Sequence, residues 1–319
     1  MELDVLIWLQ SLAAPWLDTI MGAFTQLGSE YFYVAALCFL YWCVDVRGTM
    51  RLLVLFFLSY YIGGAIKELT GRLRPFQAYP ERITGRFTET AEGMAFPSAH
   101  TLNSTIFWGY LAMTMRRRWL YILSPIVVLL VALSRLYLGL HWPTDVLGGL
   151  VLGLVILGLA YIIFRLLAGM PIKAKFPLTL ILAVIPLLFF ALFPSHTGAL
   201  CMGVLFGATV GHLIERQYIR FPVRRVWWQQ AFKLIIGLSG AMLILLGLST
   251  LLAPWQTAID SFRVTAEPNP PLLGRSLANW ASEVPTLVRY ALVGLWCTLA
   301  APAIFRLLFG PDTKEPKPS

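Results

Sequence analysis

Residues 134–164 read SRLYLGLHWPTDVLGGLVLGLVILGLAYIIF. From residue 144 to residue 164 the run holds one charged side chain, Asp145, and it is long enough to cross the hydrocarbon core of a bilayer. Arg135 and His141 come shortly before the run. Charge beside an apolar span is costly, so such residues usually mark function. The stretch therefore predicts a transmembrane helix with a polar site at its start.

Comparable apolar runs recur along the 319 residues, which are 58% hydrophobic and 13% charged. They predict an all-α, polytopic membrane helix bundle of about nine transmembrane helices. The predicted spans are 31–44, 50–66, 98–115, 119–137, 144–164, 176–193, 198–213, 231–253 and 286–309. A shift in composition near residue 169 suggests a site-bearing domain, 1–168, followed by an added transmembrane bundle, 169–319.

Residues 1–27 have a different pattern, in which apolar and polar residues alternate irregularly. Trp8 and Trp16 favour the membrane interface, and Pro15 and Asp18 disfavour a further span. We expect one or two helices that lie at the membrane surface, with a tenth span as the alternative.

Charge predicts how the chain is oriented. Lys and Arg number 25 against 16 Asp and Glu, and the basic residues concentrate in the loops on one side of the predicted spans. That side should be cytoplasmic, because positive residues are retained there. Nucleic-acid binding is not expected, since the basic residues lie in short loops between apolar spans. The four cysteines lie within apolar spans, at spacings that match no metal-site pattern.

Polar residues cluster in three short segments, all on the predicted outer side. They are Lys67-x6-Arg74-Pro75, Pro97-Ser98-Ala99-His100, and Ser134-Arg135-x5-His141-x3-Asp145. Pro-Ser before an apolar run is typical of a helix start, whose free backbone N–H groups bind phosphate. Lysine and arginine also bind phosphate oxygens. A carboxylate one helical turn from His141 can orient the ring for nucleophilic attack.

Each segment alone has a structural interpretation. His100 could be a satisfied polar residue, Asp145 could favour a helix start, and the cations could extend to the interface, with Arg72 ambiguous. Together, however, the segments resemble the signature of the type 2 phosphatidic acid phosphatase family, which shares its fold with vanadium haloperoxidases. The resemblance covers about residues 1–168.

The resemblance implies roles for these residues. His141 would be the nucleophile that forms a phosphohistidine, Asp145 would orient it, and His100 would protonate the leaving alkoxide. Lys67, Arg74, Ser98, Ala99 and Arg135 would hold the phosphate, and no metal or other cofactor would be needed. Ala99 replaces the family's glycine. In a helix this change would be harmless, whereas a position that requires positive φ would be strained.

We therefore expect an integral-membrane, metal-independent phosphatase of a lipid phosphate such as phosphatidate or a sphingoid-base phosphate. It would lie in a bacterial inner membrane, with its site on the extracytoplasmic face. The alternatives are a polyprenyl diphosphate or a small soluble phosphomonoester as substrate, or a lipid transporter that has kept a phosphate site. Leu27 to Tyr33 also resembles the sphingosine-phosphate branch. A predicted outer loop, 254–285, could cover the site, and His196 could approach it.

Overall fold

The computed structural model describes residues 1–168, 184–192, 194–223, 225–265 and 272–310, and every regular element in them is helical. The all-α class is thus confirmed. Two π-helical segments, Glu215–Ile219 and Trp296–Ala300, and one 3-10 turn, Thr88–Thr90, complete the set. The α-helices are α1 Glu2–Ser11, α2 Pro15–Gln26, α3 Glu30–Cys43, α4 Val46–Thr70, α5 Pro75–Ala78, α6 Ala99–Met115, α7 Arg118–Tyr137, α8 Pro143–Ala168, α9 184–192, α10 His196–Ile214, α11 Trp227–Thr265, α12 Leu272–Leu295 and α13 Ala301–Phe309.

Within the described ranges, six helical stretches are long and apolar enough to cross a membrane: Val46–Ala78, Arg118–Tyr137, Pro143–Ala168, His196–Ile219, Trp227–Ile259 and Trp280–Phe309. The chain is therefore an integral membrane protein. Helix α3 is apolar but shorter, and α6 has 17 residues. The predicted span 176–193 lies largely outside the described residues, so the count of nine stays a prediction.

The predicted loop 254–285 is wrong. Helix α11 continues to Thr265 and α12 already begins at Leu272, so Pro254 and Pro285 lie inside helices. Proline normally ends a helix because it lacks an N–H donor and its ring clashes with the preceding turn. Membrane helices tolerate it, since neighbouring groups satisfy the backbone that it frees.

The chain divides into two compact units, Met1–Ala36 with Val54–Gly169, and Leu37–Leu53 with Met170–Ser319. The sequence did not predict that residues 37–53, from the α3–α4 corner, pack with the second unit. In the first unit α6 packs against both α7 and α8. A Cβ on Gly149 would lie 2.6 Å from the carbonyl oxygen of Ser98, so the starts of α8 and α6 meet closely. The N–H of Ser98 also donates to the carbonyl of Asp145 (2.9 Å).

In the second unit a buried lysine joins three segments. Lys233 of α11 has no exposed surface, and its Nζ donates to the carbonyls of Trp42, Pro222 and Val223 at 3.2, 2.6 and 2.9 Å. A buried ammonium is tolerated when its donors are satisfied in this way. Lys233 therefore fastens the α3–α4 corner and the segment before α11 to one another.

Candidate active site

The three sequence segments meet around one cavity in the first unit. This cavity, of about 330 Å³, is lined by five of the predicted cationic and histidine side chains and by Ala99. The five are Lys67 from the end of α4, Arg74 at the start of α5, His100 in the first turn of α6, Arg135 near the end of α7, and His141 in the loop before α8. Ser98 and Asp145 lie directly behind this lining, fully buried.

His141 lies between Arg74 and Asp145. Its Nε2 is 3.0 Å from Nη1 of Arg74, and its Nδ1 is 3.4 Å from Oδ2 of Asp145. Arginine can only donate, so Nε2 must be an acceptor and the proton of the neutral ring lies on Nδ1, facing Asp145. The contact with Asp145 is close but not aligned as a hydrogen bond, since Nδ1 has no hydrogen-bond partner among the described residues. In this tautomer the Nε2 lone pair faces Nη1 of Arg74, and both residues line the cavity.

Burial and the surrounding positive charge both favour the neutral form of His141. Burial lowers its pKa well below the ordinary 6.5, and the nearby charges of Arg74, Arg135 and Lys67 lower it further. A neutral imidazole retains the lone pair that a nucleophile needs. The cations that would bind an anion in the cavity therefore also keep this ring reactive.

Arg74 has no N–H group to spare. It is 1% exposed, and a guanidinium carries five N–H donors. They point to the carbonyls of Glu92, Gly93, Met94 and Leu140 and to Nε2 of His141. Arg74 thus fixes the segment around residues 92–94 beside His141. Only the N–H directed at His141 faces a group that a ligand could replace.

Arg135 and Lys67 do have free donors. Nη1 of Arg135 donates to Thr25 and Thr90 hydroxyls (both 2.8 Å), and Nη2 to the Thr90 carbonyl (3.1 Å). Its Nε has no partner in the described part of the chain, so the Nε–H and one Nη2–H form an adjacent pair suited to two phosphate oxygens. Nζ of Lys67 donates to the carbonyl of Glu92 (3.2 Å), which leaves it further N–H groups.

The start of α6 supplies backbone donors. Ser98 is the N-cap, and its Oγ accepts from the N–H and the hydroxyl of Thr101 at 3.4 and 3.1 Å. It acts as a helix cap behind the cavity. Ala99 is the first helical residue, and its φ is not positive, so the alanine is accommodated without strain. The N–H groups of Ala99 and His100 make no hydrogen bond with the described residues, as at a helix start that binds an anion.

His100 is held by its surroundings and has one free nitrogen. Its Nε2 is buried without a hydrogen-bond partner among the described residues. A Cβ on Gly28, in the turn after α2, would lie 3.0 Å from Cδ2 of His100 and 2.6 Å from Val131. A glycine is therefore needed where this turn approaches the ring.

Several residues at the site were missed from the sequence. Arg72, which was ambiguous, pairs with Asp145 and Glu2, and Thr25 and Thr90 hold Arg135. None belongs to a recognisable motif. The partners are separated by 45 to 110 positions. The one sequence signal that pointed to any of these partners was Glu2, a charged residue in a predicted surface helix.

His196 is placed in the second unit. Its Nδ1 lies 3.2 Å from Oε2 of Glu283 in α12. It is not among the residues that line the cavity of the first unit.

Two family models match the chain. A family model described as the PAP2 superfamily matches residues 48–168, and one described as the transmembrane extension of PAP2 superfamily phosphatases matches 199–266. The first match contains Lys67, Arg74, the Pro97–His100 segment, Arg135, and the pair His141 and Asp145. These residues and the helical fold define the class to which the protein belongs, a membrane-embedded member of a phosphatase superfamily.

Curated proteins similar to this chain include several lipid phosphate phosphatases. Phosphatidylglycerophosphatase B of Bacillus subtilis is 30% identical over 156 residues, which cover 44% of this chain and 72% of the relative. Lipid phosphate phosphatase delta of Arabidopsis thaliana and sphingosine-1-phosphate phosphatase 2 of Mus musculus are each 32% identical, over 45% and 42% of this chain. The chain covers only 37% and 39% of the length of these two relatives. The chain belongs to the PAP2 superfamily.

One solved structure is similar, that of a transmembrane PAP2-type phosphatidylglycerolphosphate phosphatase from Bacillus subtilis. It shares 23% sequence identity with a TM-score of 0.44, over 51% of this chain and 84% of that chain.

Proposed function

We propose that this protein is an integral-membrane phosphatase that hydrolyses a lipid phosphate through a phosphohistidine intermediate on His141. The observation that carries the proposal is the placement of His141. Its Nε2 lies 3.0 Å from Nη1 of Arg74, its Nδ1 lies 3.4 Å from Oδ2 of Asp145, and His141 lines one cavity together with Lys67, Arg74 and Arg135. A nucleophile, its orienting carboxylate and a set of phosphate-binding cations are thus combined in one place.

In the first step a phosphate ester enters the cavity. Its oxygens accept from the free Nε–H and Nη2–H of Arg135, from Nζ of Lys67 and from the N–H groups of Ala99 and His100. One oxygen replaces Nε2 of His141 as the acceptor for Nη1 of Arg74. The Nε2 lone pair attacks phosphorus, the P–O bond to the alcohol breaks, and the electron pair leaves on the alkoxide oxygen.

The leaving oxygen needs a proton, and His100 is the donor in this proposal. Its Nε2 is buried at the cavity without another partner. The negative charge of a bound phosphate favours the protonated form of His100. The proton passes from Nε2 of His100 to the alkoxide, and the alcohol leaves.

The second step releases the phosphate. His100, now neutral, accepts a proton from water while the water oxygen attacks phosphorus. The bond from phosphorus to Nε2 of His141 breaks, and its electron pair returns to the ring. Asp145 stabilises the positive charge that develops on His141 in each step and remains ionised.

Lipid phosphates are the favoured substrates. The site lies at the ends of helices α4, α7 and α8, where Val46–Ala78, Arg118–Tyr137 and Pro143–Ala168 could span a bilayer. An amphipathic substrate could place its phosphate there and keep its chain in the lipid. We place the site on the extracytoplasmic face of a bacterial inner membrane, because the loops on the other side carry the excess of Lys and Arg. The division into a catalytic domain, 1–168, and an added bundle, 169–319, belongs to this proposal.

Phosphate release tests the proposal. The purified full chain is incubated with phosphatidate, phosphatidylglycerol phosphate, sphingosine phosphate, undecaprenyl diphosphate and glucose 6-phosphate, with and without chelator. We expect release from at least one lipid monophosphate, no effect of chelator, and loss of activity in His141→Ala. Acid-labile labelling of the wild type by a ³²P-phosphorylated substrate should also vanish in His141→Ala.

The control is His196→Ala, which removes a histidine of the second unit and should keep wild-type activity. Full activity in His141→Ala would exclude the nucleophile assignment. Activity lost with chelator and restored by a divalent metal would exclude the metal-independent mechanism. Release from the diphosphate or from glucose 6-phosphate alone would shift the substrate class, and tight binding without release would favour a transporter.

A further inference from the structure

The carboxylate of Asp145 divides its two oxygens between different partners. Its Oδ2 faces Nδ1 of His141 at 3.4 Å and accepts from the N–H of Trp142 at 2.8 Å. Its Oδ1 accepts from Nη1 of Arg72 at 2.8 Å. The contact with His141 is the longest of the three, so a small rotation of the carboxylate would break it. The other partners therefore decide whether Asp145 can orient His141.

Arg72 is itself held from the far side. Its Nη2 donates to Oε2 of Glu2, in helix α1, at 2.8 Å. Its guanidinium also lies over the ring of Trp142, 5.4 Å from the ring centre. Arg72 is not among the residues that line the cavity, so its route to the reaction runs through Asp145.

Glu2 closes the arrangement. Its Oε1 accepts from the N–H and the hydroxyl of Thr144, at 3.0 and 2.7 Å, and Thr144 directly precedes Asp145. Burial raises the pKa of Glu2, but the hydrogen bonds from Thr144 and Arg72 lower it by more, so the pKa lies below 4.5 and Glu2 is ionised at neutral pH. One carboxylate thus fixes both the guanidinium that holds Asp145 and the helical turn that carries it.

We propose that Arg72 and Glu2 are positioning residues, which hold the Asp145 carboxylate in the orientation that directs Oδ2 at His141. This inference rests on the proposed function only in that it takes His141 to be the nucleophile. It extends the site to helix α1, which the sequence placed at the membrane surface and which in this inference helps to align His141. Partners of this kind keep a catalytic group in one tautomer and one orientation.

Kinetics of three variants provide the first test. Arg72→Ala should lower kcat by roughly 10- to 100-fold, as losses of orienting partners typically do, with KM nearly unchanged. Guanidinium ion in the buffer should restore part of kcat, because Arg72 is 31% exposed and its place is reachable. Glu2→Gln should lower kcat by less, since its amide oxygen can still accept from Thr144. Asp4→Asn, in the same helix, is the matched control and should behave as wild type.

The double variant separates a relay from two independent effects. If Glu2 acts through Arg72, Glu2→Gln in the Arg72→Ala background should cost no further activity, whereas independent contributions would multiply. Multiplying effects would overturn the relay. A rise in KM with kcat unchanged would also overturn it, because Arg72 would then be a phosphate ligand.

Amide hydrogen exchange tests the positioning without any substrate. The N–H groups of Trp142 and Thr144 are donors to Asp145 and Glu2. Exchange in a peptide covering residues 142–146 should be faster in Glu2→Ala and Arg72→Ala than in wild type, and unchanged in Asp4→Asn. Unchanged exchange in all three variants would refute the positioning role. If the wild type released phosphate from no substrate, the proposed function would fail, and the exchange data would still decide this inference.

Discussion

The way in which Arg135 is anchored leads to a quantitative prediction. Thr25 of α2 is fully buried, and its hydroxyl accepts from Nη1 of Arg135 at 2.8 Å. Valine has nearly the same shape as threonine but no hydroxyl. Thr25→Val should therefore leave the packing intact and deprive the guanidinium of one of its two hydroxyl partners, the other being Thr90.

The magnitude follows from the bond that is lost. A hydrogen bond to a charged group is worth about 1.5–3 kcal/mol. If Arg135 must keep its present position to bind the transferred phosphoryl group, this corresponds to a fall in kcat/KM of about 10- to 100-fold, at roughly 1.4 kcal/mol for each factor of ten. Thr90 still holds Nη1, so we expect the lower end of this range.

The assay is phosphate release by the full chain at a temperature well below the melting point of each variant. Thr25→Ser is the matched control, because it keeps the hydroxyl and removes only the methyl group. It should retain most of the wild-type kcat/KM. Equal losses in Thr25→Ser and Thr25→Val would show that packing is the cause, and wild-type activity in Thr25→Val would show that the anchor does not matter for catalysis.

Three further predictions concern His141, Ala99 and Lys233. Because burial and neighbouring cations place the pKa of His141 below 6.5, only the unfolded chain takes up a proton there as the pH falls through 6.5. The melting temperature should therefore decrease as the pH is lowered below 6.5. In a pH series of thermal melts, His141→Asn should show a weaker dependence of melting temperature on pH. Ala99→Gly should change kcat/KM by no more than about fivefold, since the position is helical and glycine costs at most about 1 kcal/mol there. A larger change in the release assay would show that the side chain matters. Lys233→Met should destabilise the protein by at least about 2 kcal/mol, because three carbonyls lose a charged donor, and an unchanged thermal melt in detergent would contradict this.

The sequence was sufficient to predict six of the residues that line the cavity, namely Lys67, Arg74, Ala99, His100, Arg135 and His141. Pro97-Ser98 and Pro143 are local signals of helix starts, and both occur where predicted, at α6 and α8. Alternation of spans between the two sides of the membrane then brings the ends of α4 and α7 to the same side as these starts. The meeting of Lys67, His100 and His141 could be predicted because it depends on local signals and on topology alone.

Pairs that depend on tertiary packing could not be predicted. Glu2 and Arg72 are 70 positions apart, and Thr25 and Arg135 are 110 apart. Nothing in the local sequence distinguishes Arg72 from a lysine or arginine that extends to the interface. The prediction of a loop over 254–285 failed for a different reason. A proline would end a water-exposed helix, but the helices α11 and α12 continue through Pro254 and Pro285.

The N-terminal helices α1 and α2 supply side chains that support the candidate site and lie outside the range matched by the family model. That match begins at residue 48, yet Glu2 of α1 and Thr25 of α2 each hold a residue inside it. The two contacts are of the same kind. In each contact a side chain from an N-terminal helix accepts a hydrogen bond from an arginine. Glu2 accepts from Arg72, and Thr25 accepts from Arg135. An arginine held on one face keeps a single orientation toward the partner on its other face, which is the carboxylate of Asp145 for Arg72 and the proposed substrate phosphate for Arg135. The matched segment can therefore supply the chemistry, while the residues before it determine how exactly that chemistry is aligned.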